Sequence, residues 1–181
     1  MSSDDAWVGD AQPYLAPRPE GTQDAWSAEA EARGRKGGQR LLAVTEVDPP
    51  ETVRHFFNCG PGDKVMVRRR LILLDGEPVE LADSYYPMNI ARGTALSEKG
   101  KIRGGAVTLL GSMGFVPEDD PLEDVAAATA TAMQCMSLGI PMNSAVLVLT
   151  RFTRSTLGQP VEVSIMTMTR HLQYRQRKQA S

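Results

Sequence analysis

The chain is short of the residues that build metal, redox and membrane chemistry. Two cysteines, Cys59 and Cys135, occur in 181 residues, too few and too far apart for a disulfide framework or a zinc site. They read as reduced thiols. The only histidines, His55 and His171, stand apart from each other and from both cysteines, so neither a metal ligand set nor a Cys-His nucleophile is expected, and no catalytic residue is assigned. The N-terminal MSSDDAWVGD has neither a basic segment nor an apolar run, and nowhere do about 18 apolar residues follow one another. The expectation is a cytoplasmic protein without a membrane partner. A formal net charge of −2 removes the cationic footprint that nucleic-acid binding needs. Aromatic residues make up 6%, so the core must be built from Val, Leu, Ile, Ala and nine methionines.

Against that background one stretch stands out, Lys64 to Pro87, KVMVRRRLILLDGEPVELADSYYP. An Asp-Gly pair accepts the positive φ values of a tight hairpin, and the flanking Val, Leu and Ile suit a half-buried pleated surface. Side chains alternate along a strand, which puts Arg68 and Arg70 on one face and Arg69 on the other. At least one guanidinium must then point toward the packed side, where it needs an anionic or carbonyl partner.

The remaining chain divides by composition. Residues 1 to 22 carry prolines, glycines and scattered acids and read as a disordered tail. Asp24 can cap a short helix through Arg33, and Gly34 to Arg40 reads as a solvated basic linker, so 23 to 40 is a connector. The packed domain is expected over 41 to 175, with a tail at 176 to 181. LLAVTEV alternates as a strand, and Asp48-Pro-Pro-Glu51 offers an N-cap for the next helix. After the hairpin comes an irregular stretch from Pro87 to Glu98. Gly104-Gly105 opens a helix, a second helix stops at Gly139 and Pro141, and two last strands flank a turn at Ser155 to Gln159. Long consecutive strands with tight turns predict an α+β domain whose sheet is mainly antiparallel, with flanking helices.

RRRLILLDGEPVELADSYYP, the Gly104-Gly105 helix start, Leu138-Gly-Ile-Pro141 and Arg151 followed by Gly158-Gln-Pro-Val-Glu162 occur in the order and spacing of a known family. The chain resembles the UTRA effector-binding domain of HutC-type GntR transcription regulators, whose fold is that of chorismate lyase. The resemblance implies a cleft between the two hairpins that binds a small-molecule effector, with no cofactor. It places Arg68, Arg70, Ser84, Gly104, Gly105, Arg151, Glu162 and Met168 in that cleft. Arg70 would meet an anionic group, Gly104 and Gly105 would present backbone N–H groups, and Glu162 would accept hydrogen bonds. Ile72, Ala82 and Met168 stand where the family pattern has a basic, an acidic and a tyrosine residue. The implied ligand is therefore anionic but partly apolar. The family's winged helix has no counterpart before residue 41, so DNA would be reached only through a separate or missing segment.

Each of these groups also has a plainer reading. The arginines could pair with Glu80 or Asp83 across the hairpin, and Glu162 with Arg151 across the second one. Met166 and Met168 could be core filler, and Gly104-Gly105 a simple turn. Three functions follow: a homodimeric effector sensor, a chorismate lyase-like enzyme, and a structural dimerisation module. The first is preferred, because chorismate carries two carboxylates and a shared fold does not carry a function with it. Apolar strands such as Ala145 to Leu149 would leave an open edge or face for the homodimer.

Overall fold

The computed structural model describes residues 7–9, 24–169 and 172–174, with side chains described over 24–169 only. Its elements in chain order are β1 (Trp7–Gly9), α1 (Ala25–Glu31), β2 (Gly37–Val47), α2 (Glu51–Phe57), β3 (Val65–Leu74), β4 (Glu77–Pro87) and α3 (Met88–Ala91). A 3-10 turn at Ala95–Ser97 follows, then α4 (Gly105–Ser112), β5 (Leu122–Thr129), α5 (Ala132–Leu138), β6 (Ala145–Arg154), β7 (Pro160–Met168) and β8 (Leu172–Tyr174). The main sheet has six strands in the order β2-β3-β4-β7-β6-β5. Every neighbouring pair in it is antiparallel, so the fold is the expected α+β. None of the described helices is long and apolar enough to cross a membrane.

The arginine hairpin forms as its alternation requires. Asp75 and Gly76 take φ of 53° and 87°, the left-handed region that only Gly, Asn and Asp enter cheaply. Cross-strand pairs then fall into rows on one face: Arg68–Ser84–Ser164–Arg151–Glu123, then Arg70–Ala82–Met166–Leu149–Val125, then Ile72–Glu80–Met168–Leu147. Helices α2 and α5 cover the opposite face. There Val53, Val65, Val67, Tyr85, Phe152 and Val163 form one cluster, and Leu71, Leu81 and Leu138 another.

On the first face two apolar clusters leave a polar band between them. Met66, Tyr86, Ile90, Leu96 and Leu110 gather under α3, the 3-10 turn and α4. Ala30, Ile72, Leu74, Val79 and Ala82 gather under α1. Each fully buried Leu or Ile here contributes roughly 1.5–3 kcal/mol. The band is where Arg68, Arg70, Ser84, Ser164 and Glu162 lie.

Several expectations need correction. Gly37 to Arg40 is the start of β2 and not a linker, with Gly37 and Gly38 paired to Leu74 and Leu73. The glycine is there for helix docking: a Cβ on Gly37 would stand 2.9 Å from the Ser27 Cα, and Trp26 Nε1 donates to the Leu73 carbonyl at 2.8 Å. Asp48 does not cap α2, because Pro50 is its N-cap and no side chain caps it. Lys64 takes Asp48 instead, at 2.7 Å. Ala145 to Leu149 is not an open edge, since β6 is paired on both sides, and the edge strand there is β5. The stretch after Pro87 contains a short helix and a 3-10 turn. Of residues 1 to 22 only Trp7–Gly9 is described, paired in parallel with Leu172–Tyr174; the rest of that stretch and residues 176 to 181 lie outside the described residues.

Candidate effector site

The three consecutive arginines meet three different fates. Arg68, 5% exposed, aims its guanidinium at a cluster of main-chain carbonyls. Nη1 donates to Ala95, Leu96 and Glu98 at 3.1, 3.0 and 2.8 Å, and Nη2 to Gly100 at 2.7 Å. A cation with five fixed donors can satisfy several carbonyls that have no hydrogen-bonded ladder of their own. Burial pushes its pKa below the ordinary arginine value. Arg68 thus clamps the segment 95–100 over the sheet. Arg69, on the other face, forms a two-point bond with Asp83 at 2.7 and 2.6 Å, the cross-strand ion pair that the plainer reading allowed.

Arg70 has no carboxylate. Its Nη2 donates to Ser84 Oγ at 2.9 Å, while its Nε is buried with no partner. Beyond it runs a hydrogen-bond chain across three strands. Ser84 Oγ lies 2.8 Å from Ser164 Oγ, and Ser164 Oγ donates to Glu162 Oε1 at 2.6 Å. A serine has one proton to give, so with Ser164 committed to Glu162, Ser84 must donate to Ser164 and accept from Arg70. The chain therefore carries a single direction, from guanidinium to carboxylate, and each link polarises the next. Arg151 does not reach Glu162: it pairs with Glu123 at 2.7 Å.

A cavity of about 150 Å³ opens beside Arg70. Arg68, Arg70 and Tyr86 line it from the sheet and Gln39 and Leu41 from β2, with Gly100, Lys101, Ile102, Gly105 and Ala106 above. Burial, reinforced by the charge of Glu162, pushes the Tyr86 phenol far above its ordinary pKa, so it stays a neutral donor. Gly104 and Gly105, with φ of 71° and 82°, make the tight turn into α4. A Cβ on Gly104 would stand 2.9 Å from Thr108 Cγ2. The Gly105 N–H is spent on the Ile102 carbonyl at 3.0 Å, so it is not one of the free amides expected at the glycines.

Of the eight residues assigned from the sequence, Arg68, Arg70 and Gly105 line the cavity, and Gly104 shapes its turn. Ser84 and Glu162 join Arg70 through hydrogen bonds. Arg151 and Met168 are elsewhere on the same sheet face, paired with Ser164 and Glu80 respectively. Ile72 and Ala82, which stand in place of charged residues, are drawn into the core under α1. Gln39, Leu41, Tyr86, Lys101, Ile102, Ala106 and Ser164 were not foreseen. For Ser164 the signal was present, since it shares the face of Glu162 by simple alternation.

The UTRA domain model matches residues 32–171. Among solved structures, the effector domain of PhnF from Mycobacterium smegmatis is similar at 19% identity and a TM-score of 0.68, over 86% of this chain and 94% of that one. The full PhnF structure from the same organism gives 17% identity and a TM-score of 0.73, over 90% and 74%. A GntR-family transcriptional regulator from Enterococcus faecalis gives 14% identity and a TM-score of 0.60, over 80% and 99%. At these identities the likeness is one of fold. No curated protein matches the chain.

Proposed function

The chain belongs to the UTRA domain family, and we propose that it is the effector-sensing domain of a GntR-type regulator of the HutC kind, binding a small anionic metabolite with an apolar part beside Arg70. One observation carries this reading. Arg70 stands at a cavity wall with a buried, unpartnered Nε and no carboxylate within bonding reach. An unpaired buried donor on a permanent cation costs stability that a structural role would not ask for. A ligand anion supplies what the protein withholds.

Leu41, Ile102 and Ala106 give the cavity apolar walls, and Lys101 and Gln39 give it a polar rim. Its volume is below that of pockets for drug-sized molecules and suits a small metabolite. Arg68 is fully engaged by carbonyls, which leaves one guanidinium for ligand and weighs against the two carboxylates of chorismate. We read the domain as non-enzymatic and cytoplasmic, acting on DNA only through a separate winged-helix segment. We also read it as a homodimer. The support is β5, an eight-residue edge strand with Leu122 and Val125 exposed, which offers an unpaired ladder to a second copy. A monomer mass by light scattering at micromolar concentration would remove the dimer.

The effector reading is tested by a thermal-shift screen of small organic acids, phosphates and amino-acid derivatives against wild type and Arg70→Ala. Compounds that stabilise wild type should lose their effect on the variant, since an unpaired anion in a half-buried site forfeits about 2–5 kcal/mol. Equal stabilisation of both proteins would refute the site.

A further inference from the structure

Lys101 belongs to two places at once. It stands at the rim of the cavity beside Arg70, and its Nζ lies 3.5 Å from Asp24 Oδ2. Asp24 is its one ion-pair partner among the described residues. The other oxygen of that carboxylate, Oδ1, accepts from the Ser27 N–H at 2.9 Å and caps α1. A single ammonium thus joins the mouth of the cavity to the first turn of the helix that precedes the sheet.

The main chain around this contact is held on both sides. The Gly100 carbonyl accepts from Arg68 Nη2 at 2.7 Å and the Ile102 carbonyl from the Gly105 N–H at 3.0 Å, so the loop is pinned immediately before and after Lys101. The body of α1 is pinned as well, by Trp26 Nε1 on the Leu73 carbonyl at 2.8 Å and by its close approach to Gly37. What is free to move is the lysine side chain, a four-carbon stem with rotatable donors. Its hold on Asp24 is loose. The distance is long, the Lys101 side chain is 72% exposed, and solvent screens such a pair until little attraction is left. An anion inside the cavity, shielded from water, attracts the same ammonium more strongly. None of the described residues lining the cavity is acidic, so no wall of the cavity competes for it.

We infer that Lys101 is an exchange contact: an anionic ligand beside Arg70 takes it from Asp24, and the N-terminal end of α1 thereby registers whether the cavity is filled. The inference rests on the effector-site reading above and adds to it a line of communication to the helix before the sheet. Linkage makes the exchange reciprocal. A ligand that must take Lys101 from Asp24 binds more tightly once the charge on Asp24 is gone. Asparagine caps a helix about as well as aspartate, so Asp24→Asn removes the competitor and leaves the cap.

Butyrate, valerate and caproate test this, titrated at constant ionic strength into nitrogen-15-labelled wild type, Asp24→Asn, Lys101→Gln, the double variant and Arg70→Ala. In the NMR spectra the Gly105 and Ala106 amides report the cavity, and the Ser27 amide reports the α1 cap. In wild type the Ser27 signal should move in step with the cavity signals. Asp24→Asn should bind about two- to fivefold tighter, the range that an exposed ion pair commands. Lys101→Gln should bind more weakly than wild type and leave Ser27 still, and adding Asp24→Asn to it should change nothing. The inference is overturned by a Ser27 signal that stays still in wild type while the cavity titrates. An Asp24→Asn affinity equal to wild type, or a double variant that binds tighter than Lys101→Gln, overturns it equally. If Arg70→Ala binds the acids as wild type does, or if wild type binds none of them, the effector site itself is misplaced and the exchange falls with it.

Discussion

Replacing Arg68 by methionine separates its structural role from a ligand-binding one. Methionine keeps an apolar stem of similar length, so the buried stem of Arg68 is replaced in kind and what is lost is the guanidinium. Four carbonyl oxygens, of Ala95, Leu96, Glu98 and Gly100, then lose their common donor. A buried acceptor left unsatisfied costs about 1–3 kcal/mol. The segment can relax and let water reach the outer carbonyls, which leaves about two at full cost and a loss of about 2–6 kcal/mol. For a domain of this size that is a fall of roughly 10 °C in the thermal midpoint. Urea unfolding followed by far-ultraviolet circular dichroism should show a lower midpoint with an unchanged slope. Arg70→Ala supplies the contrast, because it removes one hydrogen bond and at the same time a buried unpartnered Nε, and its unliganded stability should stay within about 1 kcal/mol of wild type. If Arg68→Met loses less than about 1 kcal/mol and instead abolishes ligand stabilisation, the carbonyl clamp is not what holds the segment, and Arg68 belongs to the ligand.

Glu80 should make stability fall with rising pH. Its folded pKa, pushed up to about 7 from an ordinary 4.5 by burial and only partly offset by Arg70 and Arg151, means that the native state holds a proton that the unfolded chain has released. The contribution is full below the unfolded value and lost as pH rises through the folded one, with a ceiling of roughly 3 kcal/mol. Glu80→Gln should flatten the curve of urea midpoint against pH between those limits, and an unchanged curve would show that another group titrates. Gly37→Ala should loosen α1, because its Cβ would stand 2.9 Å from Ser27 Cα and backbone cannot yield there as a side chain can. We expect a loss of about 1–3 kcal/mol and a red shift of Trp26 emission, measured in a Trp7→Phe background; an unshifted spectrum would mean that the helix does not depend on this approach.

How far the sequence carried the fold follows from what each feature depends on. The hairpin was legible because an Asp-Gly turn and a two-residue period are local, and local rules place Arg69 against Asp83 and Arg68 beside Arg70. The clamp on Arg68 was not legible, since its partners are main-chain carbonyls 27 to 32 residues farther on. Any residue type supplies a carbonyl, so no side chain announces it. Gly37 and Gly38 read as a linker because glycine weakens a strand on its own account. Gly37 is needed here because α1 packs its backbone directly against that position. Asp48 looked like a cap and was taken by Lys64, a competition that only the tertiary fold decides.

Glu80 was legible in part. The alternation that puts Ser84 on the face of Arg70 puts Glu80 there too, and the same rule puts Asp83 on the face of Arg69. The two acids therefore face different arginines. Asp83 took its arginine and Glu80 did not, although geometry allowed it a diagonal approach to Arg70. The difference is the serine pair. Ser84 and Ser164 offer Arg70 a hydrogen-bonded path to Glu162, and that path draws the guanidinium away from Glu80. Removing it should therefore release the pairing. In Ser84→Ala, Arg70 loses its acceptor and should swing to Glu80, lowering the Glu80 pKa toward the ordinary carboxylate range. A carbon-13 titration of the Glu80 carboxyl in wild type and Ser84→Ala would read the shift directly. An unchanged pKa would mean that the serines do not set the direction of Arg70.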